Sequence, residues 1–188
     1  MGAILWGFKS PLEQFPSSSI IPMDPLLDEK IVITLARGFT EYIQQNLQIH
    51  AVREAYGPSR NEGLCYEAAS GIGFGGDVEG KLYFCMDGYT KLKMLPVIFE
   101  KYGVNLGEKG MADSVLLEFS NQIASAIIQE LRDAGYNITL EPPENLNHKL
   151  VPIDLSTNRQ YILIFFLQDR RGRKYMGRCY LVLTLKKF

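Results

Sequence analysis

Histidine and cysteine are scarce in this sequence. His50 and His148 are the only histidines, Cys65, Cys85 and Cys179 the only cysteines, and no CxxC pair occurs. An odd number of widely spaced cysteines excludes a disulfide scaffold and points to a reducing compartment. Neither histidine shares a metal-ligand spacing with a cysteine or the other histidine, so a zinc site is not expected. There is no GxSxG nucleophile elbow, and neither histidine stands in a context that marks a general base. Charge of one sign is missing too. Twenty Lys and Arg face 21 Asp and Glu, a formal net charge of −1. Phosphate backbones are held by concentrated basic surface, so nucleic acid is excluded as the expected partner. The one basic cluster, Arg170, Arg171, Arg173 and Lys174 around Gly172, reads as a hairpin turn. Apolar runs are all too short to span a bilayer. The N-terminus has a short apolar patch without a basic n-region or cleavage site, so no signal peptide is expected. These absences together predict a soluble, cytoplasmic protein with no membrane partner and no metal or cofactor of its own.

What the sequence does have is core. Apolar residues make up 46% of 188, enough for one domain. Residues 1–25 are rich in Pro and Ser and read as an N-terminal extension, with residues 26–188 forming the domain. Trp6, Phe8 and Phe15 are many aromatics for a free tail and are expected to dock on the domain or on a second subunit.

The strongest periodic signal is Met111 to Ala134. Ala112, Leu116, Phe119, Ile123, Ile127, Leu131 and Ala134 recur at three- and four-residue steps, the stripe of an amphipathic helix. Asp113 or Ser114 can cap its start, and Gly135 suits a left-handed stop. Its other face carries Ser114, Glu118, Asn121, Gln122, Ser125, Gln129 and Arg132. Glu118 and Asn121, three apart, are neighbours there. Asparagine costs a helix interior about 0.5 kcal/mol relative to alanine, so its presence there does not help folding. Asp28 to Leu47 is a second such helix, with Ile31, Leu35, Phe39, Tyr42 and Ile43 as its stripe. Gly88 to Tyr102 is a third, which Pro96 should kink or begin. Strands are predicted at Gln48–Glu54, Leu64–Phe74, Gly80–Met86, Tyr136–Glu141, Lys149–Leu155, Tyr161–Gln168 and Tyr175–Lys186, with Tyr56–Gly63 a loop. The order is helix, strands, helix, helix, strands, two rough repeats of a long helix followed by strands. The predicted fold is therefore α/β (α+β), two long amphipathic helices in a pseudo-twofold repeat on a mostly antiparallel sheet.

Gly71, Gly73 and Gly76 spell GxGxxG. The motif precedes another strand, KLYFCM, where a dinucleotide loop needs a helix N-terminus. These glycines are expected to mark a bulge or close packing. Glu141 and Glu144 flank a Pro-rich turn and read as solvated.

Two segments together resemble one family. SGIGFGGDVEGKLYF, Ser70 to Phe84, is similar to the glycine-rich hairpin of the CheC/CheX/FliY family of bacterial chemotaxis phosphatases, its CheX branch above all. SVLLEFSNQIAS matches the family helix pattern, in which Asp or Ser is followed after three residues by Glu, after two more by Asn, and some two dozen positions later by Pro. Ser114, Glu118 and Asn121 fall in place. Pro142 and Pro143 come one or two positions early, and Ser125 stands where the family often has Gly. Aligning Leu47 with Leu131 puts Thr34 and Arg37 where a second Glu and Asn would sit, so the resemblance implies one site, on the later helix. It also implies an activity: hydrolysis of the phospho-aspartate on a CheY-type receiver. That partner would hold the phosphoryl group, Mg²⁺ and a lysine. Asn121 would orient the attacking water, Glu118 would pair with the lysine, and Ser114, Gln122 and Ser125 would flank the docking face. Two other readings stand beside it: a non-catalytic module that binds a receiver or a flagellar-switch component, and a small-molecule enzyme built on the glycine-rich hairpin. Family members commonly dimerise through strand edges, so the resemblance implies a homodimer, which an apolar terminal hairpin at a sheet edge would allow.

Overall fold

A computed structural model of the chain describes residues 27–104 and 110–187. The N-terminal extension and most of the linker before the central helix lie outside the described residues. Three helices, α1 (Leu27–Leu47), α2 (Gly88–Tyr102) and α3 (Met111–Asp133), lie on one face of an antiparallel sheet. The strands are β1 (His50–Pro58), β2 (Gly63–Leu64), β3 (Ala68–Gly76), β4 (Gly80–Met86), β5 (Ile138–Leu140), β6 (Glu144–Asn145), β7 (Val151–Pro152), β8 (Asn158–Gln168) and β9 (Tyr175–Lys186). The main sheet runs β1-β8-β9-β4-β3-β5, with β6 also pairing β3, and β2 pairs β7 in a separate two-stranded sheet.

The burial of β8 follows from its composition. Tyr161, Leu163, Phe165 and Leu167 point to the helices, while Ile162 and Ile164 point to the far face. A strand covered on both sides reads as a continuous apolar run. On the helix side Phe39 meets Phe165 at 4.5 Å between ring centroids, and Phe84 meets Phe119 edge-on at 5.8 Å. Each such ring contributes about 1.5–3 kcal/mol by leaving water. The far face carries a smaller cluster around Tyr83, Cys85, Tyr180 and Val182, which also takes in Leu64 of β2 and Leu146 and Ile153 beside the short strands β6 and β7.

The helices α1 and α3 run antiparallel. Lys30 lies over the Tyr136 ring, Arg37 pairs with Glu130, and Tyr42 reaches Phe119 and Gln122. Gly38 brings the two backbones together, because a Cβ there would lie 3.1 Å from the Ile127 Cα. Helix α2 passes through Pro96 and begins earlier, at Gly88, where the Asp87 carboxylate accepts from the Thr90 amide at 2.7 Å.

Four expectations change. Neither Asp113 nor Ser114 caps α3. Gly110, at φ +87°, precedes Met111 and places both residues inside the first turn, and the Asp113 carboxylate accepts from Asn147 Nδ2 at 2.9 Å. The C-terminal stop holds: Gly135 has φ +97° and the Tyr136 amide bonds the Leu131 carbonyl. Second, β1 continues through Tyr56 to Pro58, where a loop was expected, because it pairs with β8 on both sides of an irregularity at Glu54. Proline is tolerated because β1 is an edge strand. Third, Leu64–Glu67 leaves the hairpin, and most of Lys149–Leu155 is irregular. Gly63–Leu64 and Val151–Pro152 instead pair with each other. Fourth, the terminal β8–β9 hairpin is central, flanked by β1 and β4, so it offers no edge.

Candidate functional site

The polar face of α3 is built by the burial of its other side. Val115, Leu116, Phe119, Ile123, Ile127 and Leu131 are fixed in the core. A helix anchored along that stripe must present Ser114, Glu118 and Ser125 to solvent, with Asn121 and Gln122 partly exposed beside them. All five predicted site residues therefore share one accessible surface. Ser125 Oγ donates to the Asn121 backbone carbonyl at 2.8 Å. Among the described residues none hydrogen-bonds the Asn121 carboxamide or the Ser114 hydroxyl.

Glu118 is not alone. Gln122 Nε2 donates to Glu118 Oε1 at 3.0 Å, and Tyr42 Oη on α1 donates to Gln122 Oε1 at 2.8 Å. Tyr102, at the end of α2, lies beside Tyr42. Burial pushes the Tyr42 phenol above its ordinary value; the Tyr102 hydroxyl partly offsets this, and the Glu118 charge adds to the rise. The Tyr102 phenol is raised by burial first, then by Tyr42 and Glu118. Both hydroxyls therefore stay protonated at neutral pH. The sequence placed Tyr42 in the apolar stripe, which its ring does occupy. The signal for its second role was the residue type alone, since a buried tyrosine needs a partner for its hydroxyl.

The remaining candidates do not assemble into catalytic chemistry. No group of three or more metal-ligating side chains occurs among the described residues. Cys85 and Cys179 are buried, and burial raises both thiols; Cys65 is exposed and unpaired. His50 meets the Arg170 carbonyl and His148 lies 3.9 Å from Glu67, both exposed. The glycines of GxGxxG make room for what covers β3. A Cβ on Gly71 would sit 2.8 Å from Leu146 Cδ1, and one on Gly73 would meet the Glu141 carboxylate. Gly76 takes φ +131° at the hairpin. A cavity of about 420 Å³ opens at this end of the far face, lined by Glu79, Lys81, Glu141 and Lys186 among others. Its two lysines are paired, Lys81 with Glu144 and Lys186 with Glu79. Glu144 is thus ion-paired. The basic 170–174 segment is the β8–β9 turn, with Gly172 at φ +65° and Asp169 accepting the Arg173 and Lys174 amides.

The family model described as chemotaxis phosphatase CheX matches residues 68–167, just over half of the chain and all of α3. No curated protein matches. Among solved structures, a chemotaxis protein CheX from Desulfovibrio desulfuricans is similar at a TM-score of 0.69 and 11% identity, over 84% of this chain and 99% of that one. CheX from Vibrio vulnificus is similar at 0.64 and 13%, over 84% and 99%. CheX of Borrelia burgdorferi, in a complex with CheY, BeF3 and Mg²⁺, is similar at 0.58 and 14%, over 84% and 98%. At these identities the likeness establishes the fold.

Proposed function

Since the chain belongs to the chemotaxis phosphatase CheX family, we propose that it hydrolyses the phospho-aspartate of a CheY-type response regulator, with Asn121 orienting the attacking water. The observation that carries this reading is the Asn121 carboxamide: partly exposed, unpartnered among the described residues, and one turn from Glu118 inside the matched region. The Borrelia burgdorferi complex among the structural relatives supports a CheY-like partner.

The chemistry asks little of this chain. Water attacks the phosphorus, the bond from phosphorus to the aspartyl oxygen breaks, and the products are inorganic phosphate and a regenerated carboxylate. Phosphoryl transfer is chiefly positioning and charge stabilisation. Mg²⁺, when bound in the receiver, supplies the charge neutralisation. An amide both donates and accepts, so Asn121 can hold the water in line without bringing negative charge to an anionic centre. A carboxylate would repel it. A carboxylate at Glu118 offers only acceptors and suits the receiver's lysine. Ser114, Gln122 and Ser125 surround these two and complete the docking surface.

The test is loss of inorganic phosphate from an acetyl-phosphate-charged CheY-type receiver. The protein should accelerate it well above the spontaneous rate. Tight association with no acceleration would leave a receiver-binding module and remove the phosphatase reading.

We propose a homodimer as well, with the joining edge reassigned. Among the described strands β1 is the long open edge, with Val52 and Tyr56 exposed along it. Light scattering at micromolar concentration should give twice the chain mass, and a monomeric mass would contradict the pairing.

A further inference from the structure

We propose that Tyr42 of α1, acting through Gln122, is a positioning residue that holds the Glu118 carboxylate in its docking orientation. This rests on the phosphatase reading, in which Glu118 meets the receiver.

The bonding fixes its own direction. An ionised carboxylate only accepts. The Gln122 group that faces Glu118 must therefore be its NH₂, at 3.0 Å. That turns the Gln122 carbonyl towards α1, where it needs a donor. Tyr42 Oη supplies one at 2.8 Å. Reversing the amide would set a carbonyl against a carboxylate and leave the phenol facing NH₂. The carboxylate thus selects one amide orientation, and the hydroxyl, donating to the carbonyl left facing α1, pins that amide in place.

The hydroxyl is itself held. The Tyr42 ring packs on Phe119 at 6.0 Å between centroids, and Phe119 is wholly buried. Tyr42 therefore reports the position of the core, through one intervening side chain, to an exposed acid one helical turn from Gln122. A phenol is protonated at neutral pH in any case, and burial raises this one further, so the donor persists. Tyr102 brings the end of α2 to the same point. The docking acid consequently sits where three helices meet, although its own side chain is exposed. An exposed glutamate otherwise samples many rotamers, and ordering it only on binding weakens association by about three- to tenfold.

Tyr42→Phe removes the hydroxyl and keeps the ring, so the core contact with Phe119 survives. Phosphate release should show KM for the phosphorylated receiver rising about three- to tenfold while kcat stays within about twofold. Gln122→Met should raise KM similarly, and the double variant should be no worse than either. In a Glu118→Ala background, Tyr42→Phe should change nothing further. An unchanged KM in Tyr42→Phe overturns the proposal. So does an equal KM rise in the Glu118→Ala background, because Tyr42 would then act on packing and not on Glu118. If the unaltered protein neither releases phosphate nor binds the BeF3-loaded receiver, the phosphatase reading itself fails, and the positioning role falls with it.

Discussion

Helices α1 and α3 have the same design and opposite fates. Each is long and amphipathic, each buries one stripe on the sheet, and they pack antiparallel through Gly38 and Ile127. Matching positions differ in what is left over. On α3, Glu118 is exposed, and the Asn121 carboxamide has no partner among the described residues. On α1, the corresponding Thr34 is only 6% exposed, and Arg37 is tied to Glu130 of α3. On α1 one of the two matching groups is buried and the other is tied to α3, whereas on α3 the acid is exposed and the carboxamide is unpartnered among the described residues. An amphipathic pattern thus decides which face packs. Whether the other face can serve as a site depends on which polar groups the packing leaves unpaired.

Three variants probe that contrast, in falling order of effect. Transplanting the motif with Thr34→Glu and Arg37→Asn should create no second site. It buries a carboxylate and breaks the Arg37–Glu130 pair, so the unfolding free energy in urea should fall by about 3 kcal/mol or more. A gain in phosphate release from that variant would break the comparison. Gly38→Leu should wedge the helices apart, at a cost of about 1–3 kcal/mol. Because Tyr42 lies one turn further along α1, the same variant should also weaken receiver binding. A loss of stability with unchanged binding would show that the two helices hold their faces independently. Arg37→Ala should cost less than about 1 kcal/mol, since the pair is partly exposed, and should leave phosphate release unaltered.

Much of this was legible in the sequence, for reasons that differ by element. The stripe of α3 was readable because its burial repeats at a local period, and Gly135 marked its end. The β3–β4 and β8–β9 hairpins were readable because strand and turn signals lie side by side. Pairings between distant segments were not. β1 reaches Pro58 only because β8 lies against it, and Gly63–Leu64 forms a strand only because Val151–Pro152 comes to meet it. The local signals at those places, Gly-Pro and a polar loop, pointed the other way. The start of α3 at Met111 was read correctly but its cap was not, because Gly110 supplies the turn and Asn147 takes the aspartate that was expected to cap it. The edge assignment failed for the same non-local reason, since the order of strands sets which hairpin is central. The candidate site residues came from pattern and resemblance, and the burial of the opposite stripe sets them on one surface, but the Tyr42–Gln122 bond joins residues 80 positions apart and has no sequence signature.

The claim that everything here depends on is that the Asn121 side chain acts inside the partner's phosphoryl site. The direct measurement compares unaltered protein with Asn121→Ala at saturating concentration, following phosphate loss from the charged receiver while also recording affinity for its BeF3-loaded form and stability in urea. The expected result is a fall in rate of about a hundredfold or more, unchanged affinity, and stability equal or higher by about 0.5 kcal/mol, because alanine is the better helix residue. An Asn121→Ala protein that releases phosphate as fast as the unaltered one would contradict the claim.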